Sequence, residues 1–439
     1  MKRIFFQYAY GNGPRSECWW DTMAEIAANS VLKGEISCDV VIVGAGFTGL
    51  SAAYHLARAG ASVAILEANS VGWGASGRNG GFCCLGGAKA SDAALDRRVG
   101  QAGRIEWRQT EKAAVALVDT LLSDLALDVD RHSMGETCLA HRPRDARSFD
   151  RQCARVEENY GVTPDVLASD ELSSAGMSGP FHGAMTIPVG FALNPRKFVA
   201  GMLAAAVSEG ARVFDQSAVT KIDSDGVSTA LGRVSAKQVI LATNGYSSED
   251  VPPAMAGRYM PAQSTVIVTR PLEEAELAAQ GWTSDQMAYD SRNLLHYFRL
   301  MPDRRFLFGM RGGILSSDRS EAASRARVIR DFRNMFPAWA DVAIPHVWSG
   351  LVCLTRGLVP FAGPLGKHPN VLAGFAYHGN GVAMGTHTGK VLAELALGQK
   401  PDLYPRVMKD PARRFPLSGL RRALMPPLYA LYALDDFRP

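Results

Sequence analysis

The hydrophobic pattern changes period near residue 40. Val40-Val-Ile-Val43 is an unbroken β-branched run, as in a strand buried on both faces. Gly44, Gly46 and Gly49 follow, and residues 50–59 then carry apolar side chains at helical spacing. Residues 61–66 return to a short apolar run that reads as a second strand. Within this strand–turn–helix–strand frame each glycine has a separate task. Gly44 permits the tight turn, Gly46 lets the backbone approach a pyrophosphate, and Gly49 lets the helix pack on the strand. Phe47 and Thr48 lie in the turn that leads into this helix, whose N-terminus offers free N–H groups and a positive dipole end to a phosphate. Glu67, followed by Ala68, stands where an acid about 20 residues on accepts hydrogen bonds from ribose hydroxyls. A carboxylate there repels a 2′-phosphate, which argues against NADP. The unit predicts a dinucleotide with an adenosine half.

Downstream the pattern alternates between helix and strand. A helix is predicted over 91–125, with Ala113, Leu117, Leu121 and Leu122 on one face. Asn194-Pro195 reads as a cap and first helical position for a helix over 195–208. Strands are predicted at 211–214, 217–222, 235–242, 263–269, 347–354 and 371–375. Residues 293–300 and 305–309 form a hairpin around Pro302-Asp303. Helices are predicted at 322–335 and 386–397. Two stretches are rich in glycine. One runs from 70 to 87 and holds Ser76, Gly77, Arg78, Asn79, Gly80 and Gly81; the other is Tyr377-His378-Gly379-Asn380-Gly381-Val382. Both suit close backbone approach to a ligand.

Composition narrows the class without deciding the chemistry. The 439 residues are long enough for two domains, and 47% hydrophobic with 21% charged residues is ordinary for a soluble globular protein. A net charge of +4 gives no nucleic-acid footprint. The seven cysteines lack zinc-type spacing, so they read as reduced thiols in a cytoplasmic protein, with no metal site. No window has 18 consecutive apolar residues. In the last forty residues, Arg413, Arg414, Arg421 and Arg422 precede an apolar stretch. This arm is a candidate either for peripheral contact with a membrane surface or for packing on its own or a neighbouring subunit. Pro426-Pro427 is expected to interrupt any long helix there.

Four stretches together resemble the D-amino-acid-oxidase-like FAD oxidoreductases, a group that includes glycine oxidase, sarcosine oxidase and γ-glutamylputrescine oxidoreductase. They are the Gly44–Glu67 unit, Gly74-Ala-Ser-Gly-Arg-Asn-Gly-Gly81, Ile240-Leu-Ala-Thr-Asn-Gly-Tyr246 and Gly374-Phe-Ala-Tyr-His-Gly-Asn-Gly-Val-Ala-Met-Gly385. The second stretch, with 289–300 and 309–313, is similar to the γ-glutamylputrescine branch. The resemblance implies an α/β fold: a Rossmann-like FAD-binding domain with a central parallel sheet, and a substrate domain with a mainly antiparallel sheet. It places the FAD domain at 38–90, 196–250 and 345–400 and the substrate domain at 91–195 and 251–344. Residues 1–37 form an N-terminal extension pinned by Trp19-Trp20, and 401–439 form the C-terminal arm. It also implies that Thr243, Asn244 and Gly245 close over the FAD and that Val219 contacts its adenine side through backbone.

The same resemblance implies the reaction. An unprotonated amine loses hydride from its α-carbon to flavin N5, the imine is hydrolysed, and O2 or another acceptor reoxidises the flavin. Tyr297 and Arg299 share one strand face and are the candidates to line the pocket and bind a polar substrate group. His378 and Arg311 are further candidates. Ala383 stands where the sarcosine-oxidase branch has a lysine that helps hold a substrate carboxylate, which moves the expected substrate toward a larger amine such as a γ-glutamylated polyamine. No His occupies 73–81 and Cys353 is offset from the relatives' flavin-linked cysteine, so FAD is expected to be non-covalent. Other classes remain open at this point: an NAD(P)H-dependent flavin hydroxylase, or a non-catalytic FAD-binding protein associated with a membrane.

Overall fold

The strand predicted first, Gly34–Val43, lies inside an eight-stranded sheet. The computed structural model describes residues 1–313 and 315–436. Val40–Val43 pairs in parallel with Val63–Leu66 on one side and with Gln238–Leu241 on the other. The strand is thus flanked on both edges, and side chains pack on both of its faces, so that Val41 and Ile42 are fully buried, which is why the run is unbroken rather than alternating. Arg212–Phe214 continues the parallel set beyond Val63–Leu66, and Val371–Phe375 continues it beyond Gly232–Leu241. One face packs the helices Phe47–Arg58, Pro195–Ser208 and Gly381–Ala396 through residues such as Ile42, Leu50, Phe198 and Val391. The other packs Val219, Val227, Met255 and Tyr259.

A second eight-stranded sheet follows the order His346–Leu354, Met260–Val268, Phe306–Arg311, His296–Leu300, Met287–Asp290, Glu136–Leu139, Gly183–Ile187, Asp165–Ala168. Its pairings are antiparallel except that between Met287–Asp290 and Glu136–Leu139. One face is a packed aromatic core, in which Phe298, Phe306 and Phe308 meet Phe332, Phe336 and Trp339. The alternate residues, Tyr297, Tyr289 and Arg311 among them, point to the opposite side. The fold is therefore mixed α/β, with one sheet built on parallel strands and the other mainly antiparallel; His346–Leu354, from the range expected for the FAD domain, is a strand of the second.

Local signals act as read. Asn194 Oδ1 accepts from the amides of Arg196 and Lys197, at 3.1 and 3.2 Å, and starts the helix Pro195–Ser208. Ser91 caps Asp92–Asp124, which bends at Gly100, where φ is 74°. Three expectations need correction. The strand expected over 217–222 exists only as Lys221–Asp223. The helix expected to begin at Thr386 begins at Gly381, inside the glycine-rich turn. Pro426 and Pro427 fall in the first turn of the helix Met425–Asp436, where proline's missing N–H costs nothing, so they open a helix rather than interrupt one.

The C-terminal helix folds back on its own chain. Arg142 Nη1 donates to the Asp435 carbonyl at 2.6 Å, and Asp436 accepts from the amides of Asn293 and Leu294 at 2.8 and 3.2 Å. Among the described residues no helix is long and apolar enough to cross a membrane, and no group of three or more His, Cys, Asp or Glu could hold a metal ion.

Candidate active site

A cavity of about 470 Å³ lies between the first sheet's loops and the free face of the second sheet. Its lining includes Gly44, Gly46, Phe47, Thr48, Glu67, Ala68, Ser76, Arg78, Asn79, Gly80, Thr243, Asn244, Tyr297, His378, Gly379, Asn380, Gly381 and Val382. These come from five distant segments that sequence had marked separately.

The glycines explain how close the backbones come. A Cβ on Gly49 would lie 1.9 Å from the Gly44 carbonyl oxygen, so only glycine lets the helix start against the turn. Gly44 has φ +105°, a region open to glycine. Gly49, Gly77, Gly81 and Gly245 do not line the cavity; they let its walls pack. A Cβ on Gly77 would meet the Gly72 carbonyl at 2.2 Å, and one on Gly81 the Leu193 carbonyl at 2.0 Å. Val219 is also outside the lining, because its side chain is buried in the core beside the first sheet.

Two helix N-termini meet at this cavity, those of Phe47–Arg58 and Gly381–Ala396. Neither has a side-chain cap from its own N-cap residue. The Phe47 amide is instead satisfied from outside, by Ser76 Oγ at 2.9 Å. The two helices are bound together by Thr48 Oγ1 and the Tyr377 hydroxyl at 2.8 Å, and by Ser51 Oγ donating to the Thr386 carbonyl at 2.7 Å. Their positive dipole ends favour negative charge in the space between the sheets. Glu67 accepts from the Ala45 amide at 2.9 Å and the Asn69 amide at 3.0 Å; burial raises its pKa, and those amides oppose the rise.

Three asparagines expected to touch a cofactor use their side chains to hold loops. Asn79 donates to the Ser76 carbonyl at 2.9 Å and accepts from the Gly81 amide at 2.8 Å. Asn244 Oδ1 accepts from the Ala376 amide at 2.9 Å. Asn380 Nδ2 donates to the Leu85 carbonyl at 2.8 Å. What these residues offer a ligand is chiefly backbone.

Arg78 is different. It is 2% exposed, with Nε donating to the Trp73 carbonyl at 3.1 Å and Nη1 to the Ser349 carbonyl at 3.1 Å. Its guanidinium carbon lies 4.3 Å from the centre of the Trp73 ring. Nη2 is buried without a hydrogen-bond partner. A buried guanidinium N–H left open beside a cavity fits an electron-rich ligand atom. The loop carrying it is clamped by the N-terminal extension: Arg15 Nη1 donates to the Trp73 carbonyl at 2.7 Å, and Trp20 Nε1 to the Asn79 carbonyl at 2.8 Å.

On the opposite wall, the Tyr297 hydroxyl sits 2.9 Å from Ser264 Oγ, and burial raises its pKa. Its ring is held between Gly80 and Gly309, where added Cβ atoms would lie 2.8 and 2.2 Å from ring carbons. Arg299 requires a correction. It shares the face of Tyr297, but the strand continues past the cavity edge, and Arg299 lies under the Gly81–Phe82 segment. There it donates to the Leu193 carbonyl at 2.8 Å and approaches His132 Nε2 at 3.1 Å, beside a separate small pocket.

His378 lines the cavity with both ring nitrogens engaged. Nδ1 is 2.9 Å from the Gly87 carbonyl, and Nε2 accepts from the Thr355 amide at 3.3 Å. Those partners fix one neutral tautomer, and burial lowers its pKa to about 4. His378 thus holds the loop and has no free nitrogen for acid–base work. Because its folded pKa lies below the value of about 6.5 for an unfolded chain, its neutral form stabilises the fold fully above pH 6.5, and that contribution is lost as pH falls toward 4. His55, His132 and His387 are lowered to about 4 by burial as well. Thermal unfolding followed from pH 7.5 to 4 should show a steep loss of stability below pH 6.5. His378→Ala should lose about 2 kcal/mol at pH 7.5 and flatten that slope; an unchanged slope would refute the assignment.

Two cavity groups had no signal in the sequence, Lys89 and Glu136, and a third, Tyr289, lies in the 289–300 stretch without being singled out there. Arg311 joins them, and its Nη2 donates to the His378 carbonyl at 3.3 Å. Burial raises the Glu136 carboxyl to about 7 against the pull of Lys89 and Arg311. Arg311 first, and burial second, lower the Lys89 ammonium to about 7. Lys89 lines the cavity with an exposed side chain.

A two-sheet α/β protein with a glycine cradle, a ribose-type acid and two helix N-termini at one cavity is a dinucleotide-binding enzyme of flavoprotein type. The model of the family "DAO: FAD dependent oxidoreductase" matches residues 39–395. Gamma-glutamylputrescine oxidoreductase of Escherichia coli (strain K12) is 31% identical over 370 residues, covering 84% of this chain and 85% of that one. Glycine oxidase of Bacillus licheniformis is 24% identical over 371 residues, covering 82% of this chain and 93% of its own length. The crystal structure of glycine oxidase from Geobacillus kaustophilus superposes with a TM-score of 0.70 at 20% identity, covering 87% of this chain and 99% of that one. The chain belongs to the DAO family of FAD-dependent oxidoreductases.

Proposed function

We propose that the protein oxidises a C–N bond of an amine, of the γ-glutamyl-polyamine, secondary-amine or amino-acid type. The observation that carries this reading is the continuity of one cavity from the Gly44–Glu67 cradle to the wall of Tyr297 and Arg311. Bound FAD supplies a two-electron acceptor that takes hydride from the carbon beside the substrate nitrogen. The chain's own part is positional and electrostatic. Gly46 and the helix-start amides beyond Phe47 would hold a diphosphate, Glu67 would hold the ribose, and Arg78 Nη2 would meet an electron-rich atom of the cofactor. The N-terminus of Gly381–Ala396 favours the extra negative charge of the reduced state. Tyr297, rigid between two glycines, sets the distance of the substrate from the opposite wall.

No cysteine is suited to a covalent link, since burial pushes the Cys353 thiol up to about 12 and Cys84 well above its ordinary value. Acid denaturation should therefore release FAD into the supernatant; yellow colour retained on the polypeptide would refute non-covalent binding. The activity is tested by anaerobic mixing with polyamines, γ-glutamyl amines and N-methyl amino acids. The expected result is loss of the oxidised-flavin absorbance near 450 nm with at least one of them. Bleaching by NADPH alone, with none by any amine, would overturn the proposal.

A further inference from the structure

Several charges in this chain are paired: Arg104 bridges Asp96 and Glu158, Arg108 bridges Asp92 and Glu111, and Arg421 meets Glu249. Lys89, Glu136 and Arg311 are charged side chains that line one cavity, Lys89 exposed and the other two half-buried. Lys89 follows the strand Phe82–Cys84, Glu136 opens the strand Glu136–Leu139, and Arg311 closes the strand Phe306–Arg311. They are near enough to influence one another, yet none forms a direct ion pair with another described residue. Charges that line a cavity without an ion pair are complementary to a ligand that brings the opposite charges. Two cations call for a carboxylate, and Glu136 calls for an ammonium.

The nitrogen undergoing oxidation must give up its proton so that its lone pair can drive hydride loss from the neighbouring carbon, whereas a nitrogen that keeps its proton as the counter-charge of Glu136 does not react. The ligand therefore carries two distinct ends. We infer that Lys89, Arg311 and Glu136 form a recognition site for a zwitterionic α-amino-acid end of the substrate, separate from the amine that is oxidised. This rests on the amine-oxidation reading above. Lys89 and Arg311 take the carboxylate, Arg311 as a planar fork and Lys89 as a point charge. Glu136 takes the α-ammonium and so rejects otherwise identical acids that lack it.

The test uses the FAD-loaded protein and four probes under anaerobic conditions. γ-Glutamylputrescine carries the whole head group, glutarylputrescine lacks the α-ammonium, and N-acetylputrescine lacks both charges. γ-Glutamylethylamide has the head group and no second amine. The half-saturation concentration for flavin bleaching should rise at least tenfold at each step from the first probe to the third. γ-Glutamylethylamide should perturb the flavin spectrum without bleaching it. Glu136→Gln should collapse the ratio between the γ-glutamyl and glutaryl substrates to within threefold. Arg311→Met and Lys89→Met should collapse the ratio between the glutaryl and acetyl substrates. Equal shifts for every probe, or no discrimination in the unaltered protein, would overturn the inference. Bleaching by γ-glutamylethylamide would also overturn it, by making the α-amine the reacting group. If no amine bleaches the flavin, amine oxidation fails as a reading, while the spectral titration with γ-glutamylethylamide still decides whether the head-group site exists.

Discussion

Purified Gly49→Val protein should be colourless. A Cβ at residue 49 would stand 1.9 Å from the Gly44 carbonyl oxygen, a backbone atom that cannot swing aside, and 3.3 Å from the Ile42 side chain. The conflict can be relieved only by moving the helix Phe47–Arg58 away from the strand Gly34–Val43. That movement breaks the cradle at Gly44 and Gly46 and strains the packing between Ser51 and the Thr386 carbonyl. Overpacking of this kind costs about 1–3 kcal/mol or more, and here the whole cost falls on the cofactor's phosphate site. The expected ratio of 450 nm to 280 nm absorbance is less than a tenth of that of the unaltered protein. Gly419→Val is the matched control, because a Cβ there has no atom within 4 Å. Full flavin content in Gly49→Val would show that the cradle tolerates a shifted helix.

Arg78→Met should produce the second large effect. Nε and Nη1 hold the Trp73 and Ser349 carbonyls, and Nη2 has no partner in the chain. Methionine keeps much of the packing and removes the charge and the fork. A hydrogen bond to a charged group is worth about 1.5–3 kcal/mol, so the loss of one bond to the cofactor predicts FAD affinity weaker by about 10- to 100-fold. Reconstitution of apoprotein with FAD, followed by fluorescence quenching, measures this. Arg78→Lys should recover only part of the loss, since an ammonium cannot span two carbonyls and a ligand. Affinity within threefold of the original would confine Arg78 to holding its loop.

Much of this fold could be read locally. The buried run Val40–Val43, the glycine turn and the Asn194 cap each obey rules that operate within a few residues, and the structure places them accordingly. The cavity's charged wall could not be read that way. Lys89, Glu136 and Arg311 lie in three segments far apart in the chain; Lys89 and Glu136 resemble ordinary surface charges in sequence, and Arg311 is a candidate only through the resemblance. The period of a strand correctly placed Tyr297 and Arg299 on one face, but periodicity does not tell where a cavity ends. Two residues of strand carry Arg299 beyond it. The polar loop residues show the converse limit. Asn79, Asn244 and Asn380 stand at the expected places, but their amides are spent on the loops themselves.

The clamp on the Trp73–Gly81 loop has a consequence for how the molecule is made. Trp20 and Arg15 grip the loop from the beginning of the chain, whereas Trp348 Nε1 donates to the Arg78 carbonyl at 2.8 Å and Ser349 accepts from Arg78 near its end. During synthesis the first grip is available early, but the second must wait until most of the polypeptide has emerged. Domains built from segments so far apart in sequence close late. A nascent chain stalled before residue 348 would hold a half-set loop, and cofactor loading becomes a closing event of biosynthesis rather than a template for it.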